Sequence, residues 1–248
     1  MSLPLFLKPK NLYHMIRLGK SNDGGYLCGT TSIKKANTLI SFGINDDFSF
    51  EENFLKFNPN IKIICYDEND YKIFWLKKIW SAIGNIFYGL NIKSILITII
   101  TIVKFNIFFK KNTLIKKKIT YNSLNDILIK EKKLIHEPLF LKIDIEGSEY
   151  RILESILKIQ DSIVGIVIEF HDIDLHIEKI KNFINKLRLS LIHIHGNNYS
   201  ELDQSGNPTT IELTFEKDPK FDNGDQIYPN ILDQPNNPLK KNINLKFI

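Results

Sequence analysis

Five short apolar runs in this chain each end in a polar, ionisable cluster, and that coincidence limits the fold more than any other feature. Thr38-Leu-Ile-Ser-Phe-Gly-Ile44 leads into Asn45-Asp46-Asp47, and Ile61-Lys-Ile-Ile-Cys-Tyr66 into Asp67-Glu68. Leu139-Phe-Leu-Lys-Ile-Asp-Ile145 leads into Glu146-Gly147-Ser148-Glu149, Ile163–Phe170 into His171-Asp172, and Leu191-Ile-His-Ile194 into His195-Gly-Asn-Asn198. Runs of this length, rich in β-branched residues, read as buried strands. Between them lie stretches with apolar residues at helical spacing: 48–57, 71–83, 123–132, 148–159 and 175–189. Alternating strands and helices predict an α/β domain with a mostly parallel sheet and helices on both faces. The last two runs, 191–195 and 208–215, are joined without a helical pattern, so a final antiparallel strand is expected. One domain over 1–248 is expected, with an irregular tail at 217–248.

In open parallel sheets, ligands bind at the carboxyl ends of the strands. The first of these loops bears on the cofactor. A dinucleotide fold uses G-x-G-x-x-G so that backbone amides meet a pyrophosphate. Here Gly43 stands alone and is followed by Asp46 and Asp47, which repel a pyrophosphate and suit a cation. Asp67, ending the second strand beside Glu68, is placed to accept ribose hydroxyls. A ribose joined to a cationic, phosphate-free group points to S-adenosylmethionine. Gly43, Asp46, Asp67 and Glu68 are therefore the expected cofactor contacts.

These segments resemble a known family. Leu141-Lys-Ile-Asp-Ile-Glu-Gly-Ser-Glu-Tyr150 is similar to the LKIDxEGxE signature of FkbM-type methyltransferases. Arg17-Leu-Gly-Lys-Ser-Asn-Asp-Gly-Gly-Tyr26 resembles the DGGY segment before their first strand, and Ser41–Asp47 their cofactor loop. His193–Asn198 and Ile211–Thr214 resemble their last strands. The resemblance implies a Rossmann-like class I methyltransferase with a seven-stranded sheet. It also implies S-adenosylmethionine as donor, and O-methylation of a saccharide, glycan-precursor or natural-product hydroxyl.

Methyl transfer to oxygen needs positioning and a base for the hydroxyl proton. The candidates are Asp144, Glu146, His171 and His195. Asp144, Glu169 and His171 also carry donor types that Mg²⁺ or Mn²⁺ accepts, although no metal is expected. Asp23-Gly24-Gly25 reads as a turn, since glycine tolerates positive φ. An Asn/Asp-Pro-Pro-aromatic motif of amino-methylases is missing at 144–147, which counts against a nucleic-acid methyltransferase. A binding module that has lost its chemistry is the other alternative.

Between Tyr71 and Asn125 there is no Asp or Glu, and ten lysines. The whole chain carries +5, so the rest sums to −5. This basic, apolar insert, about 71–120, interrupts the family resemblance where a third strand should lie. Ile86–Leu90 and Ile115–Tyr121 are the candidates for that strand, and 94–103 reads as a helix. Ile79–Val103, with Lys93 as its one charge, approaches the length of a membrane span, but one crossing would split the sheet. Docking of residues 71–118 on a membrane surface, with Trp75 and Trp80 as interfacial residues, is the first reading; burial as extra core or as an oligomer contact is the alternative, and nucleic-acid binding the third. Few apolar residues precede Lys8 and cysteines are few, so the chain reads as cytoplasmic, peripheral on the inner face of a membrane.

Overall fold

The computed structural model describes residues 2–87, 93–121, 123–224 and 226–248. An antiparallel hairpin, β1 (Met15–Leu18) and β2 (Tyr26–Gly29), opens the chain, followed by α1 (Thr30–Lys35). Then come β3 (Thr38–Phe42), α2 (Ser49–Phe57), β4 (Lys62–Asp67), α3 (Tyr71–Phe87), α4 (Lys93–Lys111) and β5 (Thr113–Lys116). They are followed by α5 (Ser123–Lys130), β6 (Leu139–Ile143), α6 (Leu153–Lys158), β7 (Ile163–Phe170), α7 (Ile173–Lys186), β8 (Ser190–Gly196) and β9 (Ile211–Glu216).

Seven strands form one sheet in the order β5-β4-β3-β6-β7-β9-β8. The pairs from β5 to β7 are parallel, and β9 runs antiparallel between β7 and β8. This is the expected Rossmann-like sheet with its final strand antiparallel, inserted between β7 and β8. Its order reverses between β3 and β6, so a crevice opens at their carboxyl ends.

Strand periodicity builds the two faces. Ile40 and Phe42 of β3, Ile64 and Tyr66 of β4, and Leu141 and Ile143 of β6 pack with α5, α6 and α7. Leu39, Ile63, Cys65 and Phe140, one position out of phase, pack with α1, α2 and the inner sides of α3 and α4. Successive side chains of a strand point to opposite faces, so these continuous apolar runs serve both layers.

Several boundaries differ from the sequence pattern. Thr113–Lys116 is the third strand; it begins before the 115–121 candidate. Ile86 and Phe87 belong to α3 rather than a strand, and 88–90 lie outside the described residues. The 148–159 helix is a 3-10 turn, Glu149–Arg151, followed by α6. The β1–β2 hairpin and α1 had no clear periodicity, because each is six residues or shorter.

Candidate active site

A cleft of about 350 Å³ opens where β3, β4 and β6 end, and Gly43, Asp67 and Asp144 lie along it. Gly43 has φ +79, and a Cβ there would sit 1.7 Å from the Asp144 carbonyl oxygen. Only glycine allows the β3 and β6 loops to approach this closely. Asn45, Glu146 and Asp172, the loop residues after β3, β6 and β7, also hold positive φ. Left-handed backbone at non-glycine residues is strained and collects at functional loops.

Asp67 braces the first loop. Its Oδ2 accepts the amides of Ile44 and Asn45, each at 2.8 Å, and its Oδ1 accepts Asn69 N–H at 2.7 Å. That engages three of the roughly four acceptor positions of a carboxylate. Asp46 and Glu68 line the cleft and pair with lysines of the insert, Asp46 with Lys78 at 2.7 Å and Glu68 with Lys118 at 2.9 Å. The basic insert thus closes on the acidic loops. Seven acids and four lysines line the cleft, which leaves it negative.

Deeper, β6 and β7 bring four carboxylates around one imidazole. His171 Nδ1 lies 3.2 Å from Glu149 Oε1, which also accepts the amides of Ile145 and Gly147. An acceptor so engaged fixes the proton on Nδ1 and leaves Nε2 facing Glu146 at 3.5 Å and Glu169 at 3.8 Å. Burial opposes the imidazolium, but the Glu149 hydrogen bond and the charges of Glu169, Glu149 and Asp144 outweigh it and push His171 up to about 9. Burial raises Asp144 and Glu169, and in Glu169 the neighbouring Asp144 and Glu212 add to it.

The Tyr26 hydroxyl ties these acids together, lying 3.0 Å from Asp144 Oδ2 and 3.2 Å from Glu169 Oε2. Asn197 Nδ2 donates to Glu169 Oε1 at 2.7 Å. Lys142, buried in β6, donates to the Gly43 carbonyl at 2.9 Å. Burial would lower its ammonium pKa, but Glu51 and Asp144 raise it.

His195 stands apart from this cluster. It is buried, with Nδ1 3.4 Å from Glu212 Oε2 and Nε2 3.3 Å from Asn242 Oδ1 of the C-terminal tail. The adjacent His193 pairs with Asp233 of the same tail at 3.0 Å. These histidines fasten the tail to β8. Burial disfavours the charged His195 ring, but its hydrogen bond to Glu212 and that group's charge push it up to about 9. A folded pKa above the ordinary 6.5 means this charge stabilises the fold fully below pH 6.5 and stops doing so as pH rises through about 9. His195→Gln should therefore unfold at lower temperature than the parent at pH 6, and the gap should close toward pH 9. Thermal melts of both proteins across that range check it; a pH-independent gap would reject the pairing.

The LKIDIEGSE segment thus lies at the centre of the cleft, and the DGGY segment reaches it through Tyr26. A family model of the methyltransferase FkbM domain matches residues 32–200. The chain belongs to the FkbM methyltransferase family. No curated protein matches it. Among solved structures it is similar to precorrin-6y C5,15-methyltransferase from Geobacter metallireducens, at 11% identity over 76% of this chain and 86% of that one, TM-score 0.39. It is also similar to the O-methyltransferase from Bacillus cereus in complex with SAH, at 10% identity over 75% and 77%, TM-score 0.41.

Sequence reasoning about this FkbM methyltransferase left Tyr26, Lys142 and Glu149 out of the site, and it weighed Asn197 only together with His195 and Asn198. A lysine inside an otherwise apolar buried strand was the available signal for Lys142. The tyrosine of the family-like DGGY segment was the signal for Tyr26. Asn197 stood in the polar cluster after its strand, but only the sheet order places it beside Glu169. The metal-type donors that converge are Asp144, Glu146 and His171, whose ligand atoms lie within 4.8 Å of one another. Glu169, which the sequence grouped with Asp144 and His171, is engaged instead by Asn197 and Tyr26.

Proposed function

We propose that this methyltransferase takes S-adenosylmethionine as donor and methylates a hydroxyl of a saccharide or glycan precursor. The observation that carries this is a negative, glycine-bottomed cleft whose lining acids Asp144 and Glu146 also converge on His171, just beyond that lining. The fit to the donor is chemical. The excess of carboxylates suits a sulfonium cation, and the close approach at Gly43 leaves room for a ligand across the loop. Glu68 and the remaining acceptor position of Asp67 suit ribose hydroxyls. The buried Tyr66 hydroxyl, which lines the cleft with no partner among the described residues, is a further polar contact.

The donor supplies an activated methyl group when bound. This chain's residues handle the acceptor. His171, once neutral, takes the hydroxyl proton on Nε2, while Glu149 holds the ring and Asp144 and Glu146 orient the acceptor. Positioning in such a site is worth up to roughly 7–11 kcal/mol in the best intramolecular analogues. His195 has no part in this scheme, since its nitrogens are committed to Glu212 of β9 and to Asn242 of the tail. A saccharide acceptor is supported by the family resemblance and by the polar groups around His171. A peripheral, cytoplasmic location belongs to the same proposal.

Calorimetry with S-adenosylmethionine tests the donor. Binding at a single site is expected, and no heat from a folded protein would sink the assignment. Asp67→Ala should weaken that binding by roughly 1.5–3 kcal/mol, the range for a hydrogen-bonded charge, chiefly because the Ile44–Asn45 amides lose their brace.

A further inference from the structure

The insert leaves a large apolar surface that the sheet does not use. α3 turns Trp75 inward, 8% exposed, against Tyr71, Phe74 and Phe105. Trp75 is therefore a core residue and not an interfacial one. Trp80 is 70% exposed, and Ile73 and Leu76 share its outer stripe at helical spacing. On α4, only Phe105 and Phe108 are buried. No described residue from 93 to 104 is buried, yet Leu96, Ile97, Ile99, Ile100 and Val103 lie there in the open. A helix so apolar all round is ordinarily covered, and exposed apolar surface of this extent marks an interaction site.

Charge selects what covers it. Lys72, Lys77, Lys104, Lys110 and Lys111 are exposed on the same two helices and form no ion pair among the described residues. No acid lies between Tyr71 and Asn125 to oppose them. A second copy of the chain would bring lysines against lysines. A nucleic acid would meet isoleucines where it needs polar contacts. An anionic lipid surface satisfies both halves: acyl chains accept the apolar side chains and headgroups accept the ammonium groups. No described helix is long and apolar enough to cross a membrane, which suits helices lying in the interface.

We infer that α3 and α4 dock this protein on an anionic membrane surface. The insert is also tied to the cleft through Lys78–Asp46 and Lys118–Glu68. Docking therefore sets the cleft beside the leaflet, where a lipid-borne saccharide would be presented. The surface stands on its own residues, not on the donor assignment.

Flotation of the full chain with phosphatidylcholine vesicles, with and without phosphatidylglycerol, tests this. Binding should require phosphatidylglycerol and fall at least about tenfold from low to high salt. The double variant Trp80→Glu/Ile100→Glu should lose at least about tenfold in vesicle binding at low salt. Its thermal unfolding and its calorimetric titration with S-adenosylmethionine should match the parent, which separates failed docking from misfolding and from failure of the donor assignment. No flotation at low salt, or equal flotation with both vesicle types, would overturn the inference. So would a dimer in light scattering that the double variant abolishes, since a second copy would then be the cover.

Discussion

His171→Ala should slow methyl transfer by about 10²–10⁴-fold, the usual contribution of a positioned base, while S-adenosylmethionine still binds with parental affinity. His171 is held by Glu149 through Nδ1, and its Nε2 opens toward Asp144, Glu146 and Glu169. Its pKa of about 9 makes it an imidazolium at neutral pH. A protonated ring cannot accept the hydroxyl proton, so the rate should climb as pH approaches 9. Neither His171→Ala nor His171→Asn should show that rise. Glu149→Gln should keep the ring but lower the pH at which the rise occurs, because a neutral amide stabilises the imidazolium less. The measurement is product formed with a saccharide acceptor at saturating donor across pH 6–10. A parental rate in His171→Ala, or an unchanged pH profile, would remove His171 from the chemistry.

Gly43→Ala should abolish donor binding and destabilise the fold. Positive φ costs a residue with a Cβ roughly 1–2 kcal/mol, and the added methyl meets the Asp144 carbonyl rather than a movable side chain. The loop that carries Ile44 and Asn45 toward Asp67 must shift, and Lys142 then loses the Gly43 carbonyl it holds. Unfolding in denaturant should show a loss of at least about 2 kcal/mol, with no calorimetric binding of S-adenosylmethionine by the protein that remains folded. Parental stability together with parental affinity would mean that the β3–β6 approach has no functional weight.

Much of the sheet was legible because its strands are long apolar runs and its loops are polar. Burial on both sides of a parallel sheet demands such runs, so β3, β4, β6, β7 and β8 stood out. The third strand did not. Thr113–Lys116 is four residues long, half-buried and directly continuous with α4, so its periodicity merges with the helix. The hairpin at Met15–Gly29 was hidden for a similar reason: its strands are too short to show alternation. The Asp144–Glu149 segment was recognisable since its acids interrupt an apolar pattern at one point in the chain.

Pairings across elements were not legible. His171 and His195 look equivalent in sequence, each a histidine closing a strand. The fold separates them, because β9 inserts between β7 and β8 and brings Glu212 to His195, while Glu149 reaches His171 from the loop after β6. Trp75 and Trp80 likewise look alike, five residues apart on one helix. A helical turn of 3.6 residues sends one into the core and the other outward. The sequence by itself determined the α/β class, the edge of the sheet that carries chemistry and the uneven placement of charge, since these follow from local periodicity and residue type. Only the tertiary structure decided which histidine faces the carboxylates, which tryptophan is free and how the lysines meet the cleft, since those depend on strand order and on contacts between residues far apart in the chain.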